Sequence, residues 1–243
     1  SLFMYNLKFY AYDFFLNDTL KKEIIPRKIH QIWLGSSVPK KYDEWRKSWN
    51  LYNPDFEYIL WDEKKILKMG LINEKQFIKS KSFGVKSDIA RYEILYNFGG
   101  IYADTDFEAL KAIDNKFLSK SFIAGQLFDY KPQINNALIM SEPKCKLLKT
   151  VIENLSDIKN EMTGLEVLNY SGANYLSQKI FENRNLEGIL ILPSQYFYPW
   201  PDFMSDSKSD PYSWASEISM AIHHWEGSWM KKSMISRLLN KIK

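Results

Sequence analysis

Apolar side chains recur at intervals of three and four residues between positions 85 and 96, which predicts an amphipathic helix. The repeating positions are Val85, Ile89, Tyr92 and Tyr96. Gly99 and Gly100 follow as a stop signal, and the apolar run 101–103 then predicts a short buried strand. The pattern therefore predicts a helix, a tight turn and a strand in direct succession.

The remaining pattern alternates strand-like runs with helical stretches. Runs 28–34 and 56–61 predict strands, and a helix predicted near 42–51 between them makes a βαβ opening. Further strands are predicted at 122–125, 137–140, 189–192 and 220–225, and further helices at 144–155 and 164–180. Alternation of this kind favours an α/β sheet whose faces are both covered.

Composition indicates an ordinary folded domain. With 243 residues, of which 45% are hydrophobic, the chain can bury a substantial core, and no repeat or linker divides it. A single cysteine, Cys145, excludes an internal disulfide and a thiolate zinc cluster, so we expect a reducing, cytoplasmic location. No run approaches the roughly 20 apolar residues of a membrane span, and the N-terminal stretch does not have the pattern of a signal peptide.

Positive charge is concentrated at the C-terminus of a chain whose formal net charge is +4. Residues 231–243 contain five lysines and arginines, no acid, and apolar residues at four-residue spacing. They predict a basic amphipathic helix, which either packs on the domain or contacts anionic lipid at the inner face of the plasma membrane. The charge forms no long stripe, so nucleic-acid binding is not expected. We therefore divide the chain into an N-terminal extension (1–25), one domain (26–230) and a basic tail (231–243).

Two aspartates, Asp104 and Asp106, follow the strand predicted at 101–103. The carboxyl ends of strands hold the ligands of α/β sheets, and two carboxylates can bind Mg²⁺ or Mn²⁺ through oxygen. A D-x-D tripeptide alone is more often a turn, but the apolar strand before it makes buried carboxylates costly unless charge compensates them. Asp88 and Arg91 share one face of the preceding helix, either as an ordinary i,i+3 ion pair or as part of a site.

The segment HHWEGSW, 223–229, holds two of the three histidines together with a hydroxyl and two indoles. A histidine after a short strand is usually structural, but with a distant D-x-D it could complete a mixed oxygen and nitrogen shell around Mn²⁺. Adjacent strand side chains face opposite ways, so only one of His223 and His224 can enter such a site.

Three blocks, IPRKIHQIWLG, SDIARYEILYNFGGIYADTD and HHWEGSW, occur in this order between residues 25 and 229. With them the chain resembles the DXD-containing glycosyltransferase sugar-binding family. That family includes yeast initiating α-mannosyltransferases, bacterial capsular polysaccharide glycosyltransferases and, more remotely, the glucosylating domains of large clostridial toxins. The resemblance implies an α/β, GT-A-type, Rossmann-like single domain with a mixed central sheet flanked by helices. It also implies a nucleotide-sugar donor, Mn²⁺ or Mg²⁺ as cofactor, and retention of the anomeric configuration.

The resemblance assigns roles to residues of the first two blocks. Trp33 would stack on the donor base through its flat indole. Asp88 and Arg91 would contact the donor sugar and its surroundings. Asp104 would lie near the ribose and the metal, and Asp106 would bind the metal directly. The last four of these residues are the predicted catalytic group.

Later residues complete the implied site. His224 would be the late metal ligand, with His223 as its alternative. Ser228 and Trp229 would donate hydrogen bonds to the diphosphate. The adjacent side-chain amides of Asn135 and Asn136 either hydrogen-bond to the sugar hydroxyls or belong to a turn before a strand.

The predicted function is a metal-dependent, retaining transfer of a hexose-type sugar to a glycan or lipid-linked acceptor, in bacterial surface polysaccharide synthesis. A UDP-sugar is the favoured donor and a GDP-sugar the alternative. Two other functions stay open, which are toxin-like glycosylation of host proteins and noncatalytic sugar binding. A D-x-D phosphatase is disfavoured, because Glu108 stands where that class needs Thr or Val, and because it leaves Trp33 and His224 without a role.

Overall fold

The computed structural model describes residues 22–129, 131–159, 161–183, 185–204 and 208–227. The strands in this part of the chain are β1 (Lys28–Ile32), β2 (Glu57–Trp61), β3 (Gly100–Ala103), β4 (Phe107–Ala109), β5 (Phe122–Phe128), β6 (Lys131–Ser141), β7 (Ile189–Leu192) and β8 (Ala221–His223). The α-helices are α1 (Asp43–Tyr52), α2 (Glu63–Met69), α3 (Glu74–Lys79), α4 (Phe83–Phe98), α5 (Lys146–Glu153), α6 (Gly164–Tyr170), α7 (Ala173–Glu182) and α8 (Ser194–Phe197).

Six strands form one mixed sheet in the order β2-β1-β3-β6-β5-β7. β1 runs parallel to both β2 and β3, whereas β6 runs antiparallel to both β3 and β5. The predicted βαβ opening and the predicted α/β fold with a mixed central sheet are both confirmed. β4 and β8 pair antiparallel in a separate two-stranded sheet.

Hydrophobic cores cover both faces of the six-stranded sheet. One cluster packs α4, α5 and α7 on one face, and a second packs α1, β4 and α8 on the other. β6 contributes to both, since Ile139 belongs to the first cluster while Leu138 and Met140 belong to the second. This is the two-residue alternation of a strand buried on both sides.

The turn from α4 to β3 depends on its two glycines. Both have positive φ, +63° at Gly99 and +107° at Gly100. A Cβ on Gly100 would lie 2.6 Å from the carbonyl oxygen of Lys28 in β1. Glycine therefore allows β3 to enter the sheet directly after the helix, as the sequence pattern predicts.

Several elements differ from the sequence prediction. The helix predicted at 164–180 is two helices, α6 and α7, which are separated at Ser171 and Gly172. Strand β6 is longer than the predicted 137–140, and α2, α3, β4 and α8 are additional. The four additional elements have only seven, six, three and four residues, so each is shorter than the window in which periodicity is readable.

The predicted ends of the chain are only partly described. Residues 1–21 of the N-terminal extension and the whole tail 231–243 lie outside the described residues, so both assignments stay predictions. Within the described part, no helix combines the length and the apolar character needed to cross a bilayer.

Candidate active site

Asp104 follows β3 directly and is held in place by its main chain. Its backbone N–H donates to the carbonyl oxygen of Ala137 in β6 at 2.9 Å. Its own carbonyl oxygen accepts from Gln31 Nε2 in β1 at 3.0 Å. Three neighbouring strands therefore fix the first aspartate at the carboxyl edge of the sheet, and its side chain is 25% exposed.

His223 joins the two aspartates from the far end of the sequence. β8 pairs with β4 so that His223 lies opposite Phe107, the residue after Asp106. Its Nε2 lies 3.0 Å from Asp106 Oδ1. One potential ligand atom from each of Asp104, Asp106 and His223 lies within 4.8 Å of the others. Two carboxylates and an imidazole are thus assembled at a single point.

The loop after β8 encloses Asp106. The backbone N–H of His224 donates to the Asp106 carbonyl oxygen at 2.9 Å. The backbone N–H of Glu226 donates to Asp106 Oδ2 at 3.0 Å. Both oxygens of this carboxylate therefore have a partner, and the late segment is tied to the D-x-D through the backbone as well as through His223.

His224 lies elsewhere than the sequence analysis placed it. Its ring stacks on Trp45 of α1 at a centroid distance of 4.0 Å, with 7° between the planes. Its Nε2 lies 2.8 Å from Glu108 Oε2. The structure therefore brings His223 to the aspartates in place of the predicted His224, because neighbouring side chains in an extended segment face opposite ways.

Arg91 links the helix to the D-x-D. Its Nη2 lies 3.2 Å from Asp88 Oδ1 and also 3.2 Å from Asp104 Oδ1. Its Nη1 donates to the carbonyl oxygen of Asn136 at 2.8 Å, and the guanidinium carbon lies 4.6 Å from the ring centre of Tyr102. A single buried cation thus compensates two carboxylates and is itself held on several sides.

Asp88 is anchored by groups from two other elements. Its Oδ1 accepts from Asn136 Nδ2 at 2.8 Å, and its Oδ2 accepts from Ser171 Oγ at 2.8 Å. Asn136 therefore belongs to this network, whereas Asn135 uses its Oδ1 to accept from the Ala137 N–H at 2.9 Å. Ser171 was not predicted from the sequence, because its contact with Asp88 joins residues that are 83 positions apart.

Burial and neighbouring charge separate the pKa values of the three aspartates. Burial raises the pKa of Asp88 to about 6, although Arg91 opposes the shift. Burial also raises the pKa of Asp104 above its ordinary value, although the positive charge of Arg91 acts in the opposite direction. Burial acts on Asp106 in the same direction, but His223 and the Glu226 N–H outweigh it, and the pKa of Asp106 is lowered. Asp106 is therefore the carboxylate that stays ionised most readily.

Three buried side-chain atoms of the described residues have no hydrogen-bond partner, namely the Tyr198 hydroxyl, Trp200 Nε1 and His223 Nδ1. The rings of Tyr198 and His223 lie 6.1 Å apart between centroids. Trp200 lies by the loop after β8, because its carbonyl oxygen accepts from Trp225 Nε1 at 2.8 Å. Buried polar atoms in folded proteins are nearly always paired, so these three atoms are exceptions among the described residues.

Trp33 lies at the same edge of the sheet as Asp104. It follows β1, the neighbour of β3, and its backbone N–H donates to the carbonyl oxygen of Trp61 at 3.0 Å. Its indole packs on Tyr42 at a centroid distance of 5.0 Å, and Nε1 donates to Ser36 Oγ at 3.1 Å. The predicted diphosphate contacts, Ser228 and Trp229, lie outside the described residues.

Comparison with known proteins agrees with this geometry. The model of the family described as glycosyltransferase sugar-binding region containing DXD motif matches residues 39–123. This range contains α4, β3 and both aspartates of the D-x-D.

Two relatives and one solved structure extend the likeness beyond the motif. Inositol phosphoceramide mannosyltransferase 1 of Schizosaccharomyces pombe is 33% identical over 142 residues, which are 55% of this chain and 44% of the relative. An uncharacterized glycosyltransferase of Acanthamoeba polyphaga mimivirus is 28% identical over 201 residues, 78% of each chain. The catalytic domain of alpha-toxin from Clostridium novyi superposes with a TM-score of 0.52 at 10% identity, covering 98% of this chain and 85% of that one, and so shares the fold.

The match to the yeast mannosyltransferase spans less than half of that relative's length. The family match nonetheless contains the helix, turn and strand that carry Asp88, Arg91, Asp104 and Asp106. Residues 39–123 therefore match the family described as glycosyltransferase sugar-binding region containing DXD motif, and the resemblance is confirmed for the block SDIARYEILYNFGGIYADTD.

Proposed function

We propose that the protein is a metal-dependent, retaining glycosyltransferase that moves a hexose-type sugar from a nucleotide-sugar donor to a glycan or lipid-linked acceptor. The observation that carries the proposal is the group formed by Asp104, Asp106 and His223, which lies beside the ion-paired Arg91 at the carboxyl edge of the sheet. This is where α/β sheets bind their ligands.

The donor atoms of this group fit a divalent cation. Two carboxylates and one imidazole form a mixed oxygen and nitrogen set that suits Mn²⁺, with Mg²⁺ as the alternative. Ionised carboxylates and a neutral imidazole are the forms in which these side chains bind a metal ion. We propose Asp104, Asp106 and His223 as the ligands. When bound, the cation would stabilise the negative charge that develops on the departing diphosphate.

Arg91 and Asp88 are proposed to position the donor sugar. Between two carboxylates, Arg91 has a raised pKa despite its burial and remains a fixed cation. Asp88 has both oxygens engaged by Asn136, Ser171 and Arg91, so it is poorly placed to attack an anomeric carbon. A double displacement needs such a carboxylate nucleophile. This supports attack by the acceptor hydroxyl from the face that the diphosphate leaves.

The acceptor is proposed to be lipid-linked in preference to a capsular polysaccharide. The name of the yeast relative specifies inositol phosphoceramide, a lipid, as its substrate. Bacterial surface polysaccharide synthesis and toxin-like modification of a host protein are the competing assignments. A cytoplasmic location at the inner face of the plasma membrane is part of the same proposal, and the single, buried Cys145 supports the reducing compartment.

A donor screen tests the assignment. Nucleotide release would be measured with Mn²⁺ and a UDP-, GDP-, ADP- or TDP-sugar, for the unmodified protein, Asp106→Asn and the exposed control Asp157→Asn. We expect release from one donor, with UDP-sugars tested first, and loss of that release in Asp106→Asn only. Full release by Asp106→Asn would contradict the metal assignment. Donor binding without turnover, with every acceptor class supplied, would show a noncatalytic sugar-binding protein.

The same preparation distinguishes the acceptors. With a radiolabelled donor sugar, label is expected in the organic phase after incubation with a total lipid extract. Label in a soluble polysaccharide fraction would favour the capsular assignment. Label in eukaryotic protein would favour the toxin-like one.

A further inference from the structure

Residues 62–86, which comprise α2, α3 and the first turn of α4, are here called the lysine platform. Lys86 Nζ forms an ion pair with Glu63 Oε1 at 2.6 Å and lies 5.0 Å from the ring centre of Phe77. It therefore ties α2 and α3 to α4. Beneath it Ile66, Phe77 and Val85 are fully buried in the core, so the platform has a rigid base.

Large apolar side chains project from the platform. Their exposed fractions lie between 38% and 64%, and they fall within 17 consecutive residues. They are Leu67, Ile72, Ile78 and Phe83. Single exposed apolar residues are ordinary on a protein surface, whereas four of them within 17 consecutive residues make this segment a candidate interaction surface.

The same residues are surrounded by positive charge. Between positions 62 and 86 there are seven lysines against three acids, and one of those acids, Glu63, is already paired with Lys86. Six of the lysines are exposed, and these are Lys64, Lys65, Lys68, Lys75, Lys79 and Lys81. Lysine is depleted in protein–protein interfaces, whereas lysine combined with exposed aliphatic and aromatic side chains is typical of surfaces that bind anionic lipid.

The platform borders the candidate active site. The ring of Phe83 fills the space beside Gly35, where a Cβ would lie 2.5 Å from Phe83 Cζ. Gly35 belongs to the loop that follows Trp33 at the carboxyl edge of the sheet. The helix that begins at Phe83 also carries Asp88 and Arg91. A bilayer that contacts the platform would therefore lie next to the edge where Asp104 is held.

We propose that the lysine platform docks the protein onto the anionic face of a lipid bilayer. The apolar side chains would enter the boundary between headgroups and acyl chains, and the lysines would contact lipid phosphates and carboxylates. The inference rests on the membrane location in the proposed function and names the surface that makes the contact. It does not depend on catalysis, because binding to vesicles is measured without donor or acceptor.

Vesicle flotation of the full chain tests the proposal, with phosphatidylcholine vesicles that contain or lack phosphatidylserine. The platform variant is Lys68→Glu with Lys75→Glu. Its matched control is Lys146→Glu with Lys149→Glu on α5, which are also exposed and change the net charge equally. We expect binding of the unmodified protein to the anionic vesicles only. The platform variant should lose more than about tenfold in affinity and the control little, since each lysine near the surface contributes about fivefold.

A second variant tests the apolar contribution. Ile72→Ser with Ile78→Ser keeps the charge and removes two exposed apolar groups, so we expect weaker binding to the anionic vesicles. Raising the salt concentration should reduce the affinity of this variant more than that of the unmodified protein, because salt screens the remaining charge contribution. Because all substituted side chains are exposed, the variants should remain folded, and nucleotide release with a water-soluble acceptor should be unchanged.

Three results would overturn the proposal. One is absence of vesicle binding by the unmodified protein, which would favour an acidic protein as the partner of the platform. Another is an equal loss in the platform and α5 variants, which would reduce the effect to net charge. The third is full binding by the platform variant together with loss on removal of residues 230–243, which would assign membrane contact to the tail.

Discussion

The imidazole of His223 lies 3.0 Å from the carboxylate of Asp106, although 117 positions separate the two residues in the sequence. The pairing of β8 with β4 creates this contact, and Trp49 of α1 supports β4 by donating from Nε1 to the Phe107 carbonyl oxygen at 3.0 Å. The proposed metal binding is therefore expected to depend on the register of a two-stranded sheet outside the main one.

The first prediction concerns the choice between the two histidines. We expect His223→Gln to weaken Mn²⁺ binding by at least the roughly 10- to 100-fold loss seen when a group supporting a metal ligand is removed. His224→Gln should retain most of the affinity, because His224 contacts Glu108 and Trp45 instead of the aspartates. Titration with Mn²⁺ followed by electron paramagnetic resonance measures both. The opposite order of affinities would refute the assignment of His223.

The second prediction concerns Arg91. Arg91→Met removes the buried cation between Asp88 and Asp104 and leaves both carboxylates uncompensated. We expect a loss of about 3–5 kcal/mol in the free energy of unfolding near neutral pH, measured by urea denaturation. Adding Asp88→Asn should recover part of this loss, because one uncompensated charge is removed. A double variant no more stable than Arg91→Met would show that the cost does not come from Asp88.

The third prediction concerns His30, which the proposed chemistry does not use. Its Nδ1 accepts from Trp61 Nε1 at 3.1 Å and its Nε2 lies 2.8 Å from the Gly99 carbonyl oxygen, so the neutral ring satisfies both contacts. Burial lowers the pKa of His30 from 6.5 to about 4. The unfolded chain therefore takes up the proton at higher pH than the folded protein does.

Because the folded pKa is the lower one, the stabilising contribution of His30 is complete above pH 6.5 and is lost as the pH falls toward 4. The gap between the unfolded and folded pKa values of His30 corresponds to about 3 kcal/mol in the free energy of unfolding. His30→Gln should be less stable at neutral pH but should show a shallower decline between pH 6.5 and 4. Urea denaturation across this range measures the slopes, and parallel curves for the two proteins would contradict the prediction.

The fourth prediction concerns the turn before β3. Gly100→Ala places a Cβ 2.6 Å from the Lys28 carbonyl oxygen at a φ of +107°, so strain and a clash inside the sheet combine. Gly70→Ala is the matched control, since its φ is +80° but nothing lies within 4 Å of the added atom. We expect a loss of about 1 kcal/mol in the free energy of unfolding for the control and of more than about 2 kcal/mol for Gly100→Ala. Equal losses would mean that the close approach of β1 is not limiting.

The order of elements around the D-x-D could be predicted from local patterns. The periodicity of α4, the glycine pair and the short strand after it are properties of consecutive residues, and the structure contains all three. The placement of Asp104 at the carboxyl edge followed from the strand and needed no knowledge of its neighbours. The break at Ser171 and Gly172 was missed, although a Ser-Gly dipeptide is a turn signal, because the helical pattern continues on both sides of it.

The sequence by itself thus determined the α/β class, the βαβ opening and the identity of the two aspartates, because each depends on spacing along the chain. The tertiary structure decided which histidine joins them and which groups hold Asp88. Alternation along an extended segment implies that the side chains of His223 and His224 face opposite ways. The register between β8 and β4 determines that His223 is the one that contacts Asp106. Register depends on contacts between residues far apart in sequence, and burial of the surrounding core chooses among the alternatives.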